Sequence, residues 1–419
     1  MSKLKAIKLL EFGEVITGKT PSSKYPEDFG TETPFITPSD SFNQKHISST
    51  NRYLSSEGVS KLKNKVLPAN SVMVTCIGSA MGKVAMTNFP SITNQQINSI
   101  KVNKNFDANY VYYCLKNNYQ LLRNSAKGST ALPRLNKTEF DKLKFNVHIY
   151  KKDQEKISSV MSVIDSKIEI NNQINTELEA MAKMLYDYWF VQFDFPDADG
   201  KPYKSSGGKM VYNETLEREV PDGWKNGSLD DIGQIVGGST PSTSECSNFA
   251  DIATPWITPN DLSKNQGNKF ISRGAQDVTA DGIRSASLKT YPTGTVLLSS
   301  RAPIGYMAIA QNPLTTNQGF KSFIPNKGYS TEFVYYSVRN SLKTIEQYSS
   351  GSTFKEISGS VLKTVKAILP DSVMVDRYTV KAKAIFDQQN TLELENQQLS
   401  SLRDWLLPML MNGQVTVSQ

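Results

Sequence analysis

The sequence predicts an α+β fold in which two repeated α/β domains are separated by a pair of long antiparallel helices, a coiled coil with pseudo-twofold symmetry. Three observations predict it. Between Ile157 and Trp189, the residues Ile157, Ile164, Asn171, Leu178 and Leu185 fall seven apart, with Val160, Ile174, Met181 and Tyr188 as companions, the seam pattern of a coiled coil. Tyr378, Ile385, Leu392, Leu399 and Leu406 repeat that spacing near the C-terminus, with Leu402 and Met409 beside them. The stretches preceding the two heptad runs read as one domain written twice.

Taken in order, residues 1–150 form the first mixed domain. Val15-Ile16, Pro34 to Thr37 and Ser71 to Thr75 read as strands bounded by Gly, Pro, Asn and Ser, and Tyr110–Asn124 and Lys137–Leu143 read as helices. Residues 151–193 form the first rod, uninterrupted by Pro or Gly between Ile157 and Trp189 and about 50 Å long at ~1.5 Å per residue. Residues 194–222 are dense in Gly, Pro, Ser and charge and read as an extended linker. Residues 223–373 form the second domain and 374–419 the second rod.

Charge divides along the same boundaries. The 419-residue chain carries a net +7, but residues 1–150 hold 20 Lys+Arg against 10 Asp+Glu and 223–373 hold 14 against 11, while both rod segments are net acidic. Two basic blocks on a helical frame fit a polyanionic partner, because Lys and Arg over phosphates gain affinity by counterion release. The N-terminus has no signal-peptide pattern, no apolar run is long enough to span a membrane, and three scattered cysteines without a CxxC fit a reducing cytoplasm. With only His46 and His148, neither a zinc cluster nor a Ser/His/Asp triad is expected.

The internal repeat is specific. Gly13 to Ser22, GEVITGKTPS, aligns with Gly233 to Ser242, GQIVGGSTPS; Thr33 to Asp40 with Thr254 to Asp261; Thr93-Asn94-Gln95 with Thr316-Asn317-Gln318; Tyr112-Tyr113 with Tyr335-Tyr336; Gly128-Ser129-Thr130 with Gly351-Ser352-Thr353. The repeat bears on a tempting motif, since GEVITGKT satisfies the phosphate-cradling pattern G-x-x-x-x-G-K-[ST]. Pro21 comes directly after it, no strand ending in Asp supplies an evident second magnesium ligand, and Ser239 replaces Lys19 in the other copy. A nucleotide site is the weakest of the three functional readings.

These loops, the TNQ triplets, the Tyr188 to Asp194 segment YWFVQFD closing the first rod, and Pro221-Asp222-Gly223-Trp224 opening the second domain resemble the specificity subunit of type I restriction-modification enzymes. The resemblance covers essentially the whole chain. It implies that the two domains are target recognition domains, each reading half of a bipartite double-stranded DNA sequence, and that the helices set the gap and dock two methyltransferase subunits. It also implies a chain without catalysis or cofactor of its own. S-adenosylmethionine would serve the methyltransferase subunits, and ATP and Mg the motor/endonuclease subunits. A standalone two-domain DNA-binding scaffold is the alternative.

Two copies in one chain sort the candidate DNA-binding residues without further sequences. Identical positions should serve folding or the phosphate backbone, and differing polar positions in equivalent loops should read bases. Thr20/Thr240 and Ser22/Ser242 fall in the first class with Asn94/Asn317, Gln95/Gln318 and Ser129/Ser352; Asp40 and Asp261 order a turn or accept from cytosine. Lys19/Ser239, Ser39/Asn260, Gly78/Arg301, Lys83/Tyr306, Gln96/Gly319 and Leu132/Lys355 fall in the second, and Arg134 joins the candidates. Arg301 is the leading base reader, because arginine bonds guanine through two donors. The expected coiled-coil interface is Ile157, Ile164, Leu178 and Leu185 against Ile385, Leu392, Leu399 and Leu406, with Asn171 and Asn175 suited to setting register.

Overall fold

A computed structural model describes residues 4–40, 42–126, 133–301, 303–349 and 356–417. It divides into two compact units, Met1–Ile170 with Gln397–Gln419, and Asn171–Asn396. Each unit contains one mixed domain and a stretch of both long helices. Among the described residues no helix is long and apolar enough to cross a membrane.

In the first unit a five-stranded sheet runs in the order Gly13–Thr17, Ile97–Val102, Val72–Thr75, Val84–Thr87, His46–Ile47, antiparallel except for the last pair. The central strand Val72–Thr75 is buried along its whole length, which is why its first three residues are consecutively apolar rather than alternating. Its side chains still alternate between faces. Val72 and Val74 enter a core with Tyr110, Tyr113 and Phe140, whereas Met73 enters a second core with Ile36, Ile47 and Ile97. A four-stranded sheet, Phe29–Gly30, Tyr53–Leu54, Thr33–Ile36, Ile92–Thr93, and the pair Leu4–Lys8 with Lys144–His148 complete the β structure. The predicted helix Tyr110–Asn124 is two helices, Ala108–Asn117 and Tyr119–Asn124; Asp107 caps the first by accepting from Tyr110 N–H.

The second unit repeats this strand for strand. Its five-stranded order is Gln234–Gly237, Lys321–Ile324, Val296–Ser300, Ile304–Ala310, Phe270–Ile271; its four-stranded order is Phe249–Ala250, Gln276–Val278, Thr254–Ile257, Thr315–Thr316; and Lys225–Ser228 pairs with Lys366–Leu369. The face alternation repeats as well. Val296 and Leu298 face one core and Leu297 the other.

Residues 194–222, expected to be an extended linker, are built structure. Met210–Asn213 and Arg218–Pro221 form a hairpin, and the Phe195 ring stacks on Tyr203 at 4.7 Å and on Trp224 at 5.1 Å. Phe193, Phe195 and Val220 are buried in the second unit's main core. Aromatic burial outweighs the Gly, Pro and Ser content that favours an open chain.

The long helices are Lys151–Tyr186, continued by a π-type turn Asp187–Val191, and Ser372–Met411. They pair antiparallel within each unit. In the first, Arg403 donates to Asp165 at 3.1 Å, and Ile157 and Met161 share a core with Leu407, Leu410 and Met411. In the second, Asn171 meets Glu395 and Asn396, Gln389 meets Glu179, and the Trp189 ring lies 5.9 Å from Tyr378. Ile157, Ile164, Asn171 and Leu178 are buried and Leu185 half-buried.

The companion positions differ from expectation by one residue. Met161, Asn175, Ala182 and Trp189 are buried, four residues after each of Ile157, Asn171, Leu178 and Leu185, whereas Ile174 and Met181 are 37% and 55% exposed. On the second helix Ile385, Leu392, Leu399 and Leu406 are half-buried flanks, and Ala382, Phe386, Gln389, Glu393, Leu407 and Leu410 fill the seam. Hydrophobicity alone favours Ile174 over Asn175 and Met181 over Ala182. The packed seam instead takes a small residue, Ala182, and two asparagines, of which Asn171 bonds across it to Glu395 and Asn396.

Candidate nucleic-acid interface

The repeated loops gather at one end of the five-stranded sheet in each unit. Gly18 passes so close to the TNQ turn that a Cβ there would stand on the Thr93 and Asn94 carbonyl oxygens, and Gly238 meets Thr316 and Asn317 in the same way. Gly18 N–H donates to Ile97 O at 3.2 Å and Lys19 N–H to Thr93 O at 2.9 Å; Ser239 N–H donates to Thr316 O at 3.1 Å. Thr20 Oγ1 donates to Gln95 Oε1 at 2.6 Å, and Thr240 to Gln318 likewise. The shared residues therefore strap one loop to the other.

That strap settles the nucleotide question in physical terms. A phosphate cradle needs free main-chain N–H groups at a helix N-terminus. Here the N–H groups of Gly18 and Lys19 are already donating, and Thr20 leads into a turn and the short 3₁₀ segment Pro26–Asp28 rather than a helix. Titrating Mg-ATP into the chain is expected to give no heat that Lys19→Ala abolishes.

Asp40 and Asp261 order turns rather than face bases. Both are buried, and each carboxylate accepts from the N–H and hydroxyl of the preceding threonine, Thr37 or Thr258. A third donor, Asn51 N–H or Ala275 N–H, lies at 3.0 Å in both copies. Their acceptor capacity is spent on the turn. Ser39 and Asn260 beside them are less buried, and Lys19, Ser22 and Ser242 are exposed. Lys83 Nζ donates to Asn43 Oδ1 at 3.0 Å.

Hydrogen bonds also fix the register between copies. Cys76 N–H donates to Gln96 O at 2.7 Å and Leu135 N–H to Cys76 O at 2.9 Å; Ser300 N–H donates to Gly319 O at 2.8 Å and Ile357 N–H to Ser300 O at 3.0 Å. Gln96 and Gly319 are thus equivalent, as expected. Lys83 and Tyr306 are equivalent too, each N–H donating to the hydroxyl of Thr75 or Ser299. The pairing of Gly78 with Arg301 is corrected by one residue. Cys76 matches Ser300, so Arg301 matches Ile77, and the bridges Ile77–Arg134 and Arg301–Glu356 coincide. Tyr306 is half-buried in a cleft of about 340 Å³ on the side of the long helices. Lys355, Leu132 and the two GST triplets lie outside the described residues.

Sequence reasoning misses what fastens each domain to its helices. Lys269, 5% exposed, ion-pairs with Glu179 at 2.6 Å, donates to Gln389 at 2.7 Å and lies 3.8 Å from the Phe386 ring centre. Glu393, 3% exposed, accepts from the main-chain N–H of Lys269 at 2.8 Å and of Phe270 at 2.9 Å, and Arg339 pairs with Glu179 from the domain side. In the first unit Lys45 donates to Ser162 at 2.8 Å and to Tyr113 at 3.4 Å, and Tyr113 donates to Asp165 at 2.6 Å. A signal exists. Lys45-His46-Ile47 and Lys269-Phe270-Ile271 are the same strand with the same preceding lysine.

Burial lowers Lys269 to about 8 against the pull of Glu179, and burial lowers Lys45 to about 8 against Asp165. Burial also works to raise Glu179, but Lys269 and Arg339 overcome it and leave that carboxyl lowered. Glu393 is raised by burial from 4.5 to about 7 despite its two N–H donors and Lys269. Between pH 4.5 and about 7 the folded chain therefore holds a proton on Glu393 that the unfolded chain releases, and stability contributed there falls as pH rises. Relative to Glu393→Gln, wild-type stability in urea is expected to decline across that window. Parallel pH profiles would exclude this assignment.

A family model described as the type I restriction modification DNA specificity domain matches residues 1–180 and 221–403. The chain is similar to the type I restriction enzyme MjaIX specificity subunit of Methanocaldococcus jannaschii, 45% identical over 163 residues that cover 38% of this chain and 37% of that protein. It is also similar to the HindI specificity subunit of Haemophilus influenzae, 28% identical over 314 residues, covering 63% and 68%. The structure superposes on the S subunit of a type I restriction-modification system from M. genitalium with a TM-score of 0.62 at 14% identity, covering 98% of this chain and 96% of that one, a likeness of fold.

Proposed function

Because the chain belongs to the family of type I restriction modification DNA specificity domains, matched in both of its halves, we propose that it is the sequence-reading subunit of such a complex, each domain recognising half of a bipartite DNA target inside the cell. The observation that carries this reading is the duplicated loop frame. Identical residues in the two copies strap the loops together, while solvent-accessible side chains on the same frame differ, as the exposed Lys19 and the half-buried Ser239 do. One scaffold presenting two sets of contacts is what a two-part target requires.

On this reading the chain supplies no catalytic group. Adenine methylation from S-adenosylmethionine belongs to two methyltransferase subunits docked on the long helices, and ATP- and Mg-dependent movement and cleavage belong to motor/endonuclease subunits. The outward apolar residues Ile174, Met181 and Met184 on one helix support helix-borne docking, since large exposed apolar side chains along one helix mark association surfaces. The helices set the gap between half-sites. A four-residue insertion between Leu178 and Leu185 tests that role only if matched on the second helix, because the Glu179 and Gln389 contacts tie the two registers together.

Co-expression with the methyltransferase and sequencing of methylated adenines tests the whole reading. A stable complex that methylates one bipartite sequence is expected. DNA binding by the chain without recovery of a methyltransferase would favour the standalone scaffold.

A further inference from the structure

We infer that Glu356 is a specificity-determining residue that works with Arg301 to read a single G·C base pair in the half-site of the second domain. The inference rests on the DNA-reading role proposed above and adds to it a residue, a partner and a base pair.

The two coincident bridges carry different side chains on the same frame. Their main-chain hydrogen bonds agree between the units, yet the facing residues are Ile77 and Arg134 in one and Arg301 and Glu356 in the other. Each copy thus offers one guanidinium at this place, carried by opposite strands of the bridge. Among the described residues only the second copy sets a carboxylate beside it. Arg301 Nη1 and Glu356 Oε2 are 3.9 Å apart, with side chains 35% and 46% exposed.

Stability does not account for that carboxylate. An exposed pair at this distance contributes little, and the first domain forms the same bridge with isoleucine facing arginine. Phosphate binding does not account for it either, because a carboxylate at a DNA surface repels the backbone. A carboxylate is suited to one groove contact above others, accepting from the N4 amino group of cytosine. The major-groove edge of a G·C pair presents the N7 and O6 acceptors of guanine followed by that donor. A guanidinium bonded to N7 and O6 with a carboxylate at its side matches the row in order, whereas an A·T pair offers acceptor, donor, acceptor and gives the guanidinium no second adjacent acceptor. Separation of the two side chains matters, since a pair locked by two short bonds would have to break before reading anything.

The test uses the intact complex of this chain with its methyltransferase and a randomised duplex DNA library, sequencing what is captured. Wild type is expected to enrich a bipartite consensus. Glu356→Gln, which keeps size while replacing one acceptor oxygen by a donor, and Glu356→Ala should each lose preference at one G·C position of one half by roughly 10-fold. Arg301→Ala should relax that same position. An unchanged consensus, weakening spread over all positions, or relaxation of two different base pairs by the Glu356 and Arg301 variants would each overturn the inference while leaving the DNA-reading role standing. Failure of the wild-type complex to enrich any sequence would overturn the role and the inference together.

Discussion

Lys269→Met is expected to destabilise the second unit by about 3 kcal/mol, the low end of what removing one partner of a buried ion pair costs. Methionine keeps much of the lysine stem's packing against Phe386, so the loss reports charge rather than a cavity. The variant leaves a half-buried Glu179 held by Arg339, Gln389 without its lysine donor, and a buried Glu393 lacking the Lys269 cation. Arg339 is the reason the cost stays near the low end. In urea denaturation, adding Glu179→Gln to Lys269→Met should cost less than the two single changes summed, because the second change removes the charge that the first stranded. Additive losses, or a loss below about 0.5 kcal/mol for Lys269→Met, would mean that the cluster is not coupled as its geometry indicates. Lys45→Met in the first unit should be milder, since its two acceptors are hydroxyls that can turn toward other partners.

Gly238→Ala is expected to cost about 1–3 kcal/mol by overpacking, and to impair recognition in one domain only. The added Cβ meets the Thr316 and Asn317 carbonyls, which are main chain and cannot rotate aside. The Gly238 loop must therefore lift, and the bonds from Ser239 N–H to Thr316 and from Thr240 to Gln318 open with it. In the proposed complex, methylation of targets altered in the second domain's half-site should lose discrimination while discrimination in the other half persists. Gly18→Ala should give the mirror image. Equal loss in both halves would argue that the straps serve general stability and not the placement of recognition loops.

The repeat is legible because it is written in short local signals. The GKTPS and GSTPS loops, the TPFITPSD and TPWITPND segments and the TNQ triplets each encode a turn whose hydrogen bonds lie mostly within the loop or to the other strapped loop. Copying those residues copies the geometry. The existence of the two rods is legible for a similar reason, since a seven-residue period is a local property of one helix.

The features that are not legible depend on partners far apart in the chain. The seam's phase escapes a reading by hydrophobicity because Ile174 and Met181 are more apolar than Asn175 and Ala182, and only the facing helix decides which row is covered. Gly78 is the counterpart of Arg301 by counting, while the bond from Leu135 to Cys76, across 59 residues of chain, gives that place to Ile77. The 194–222 segment reads as linker by composition and folds because Phe195 and Val220 find a core supplied by the first long helix and by residues beyond Trp224.

By itself the sequence determined the order domain, rod, linker region, domain, rod, the basic surplus on the domains, and the duplicated loops, all of which follow from periodicity, composition and short-range turns. Only the tertiary structure decided which rows of the rods are buried, that Lys45 and Lys269 fasten each domain to its helices, and that Arg301 stands opposite Glu356. The physical reason is the same in each case: a buried charge or a seam position is set by the desolvation and pairing that groups elsewhere in the chain provide, and no window of sequence contains both partners.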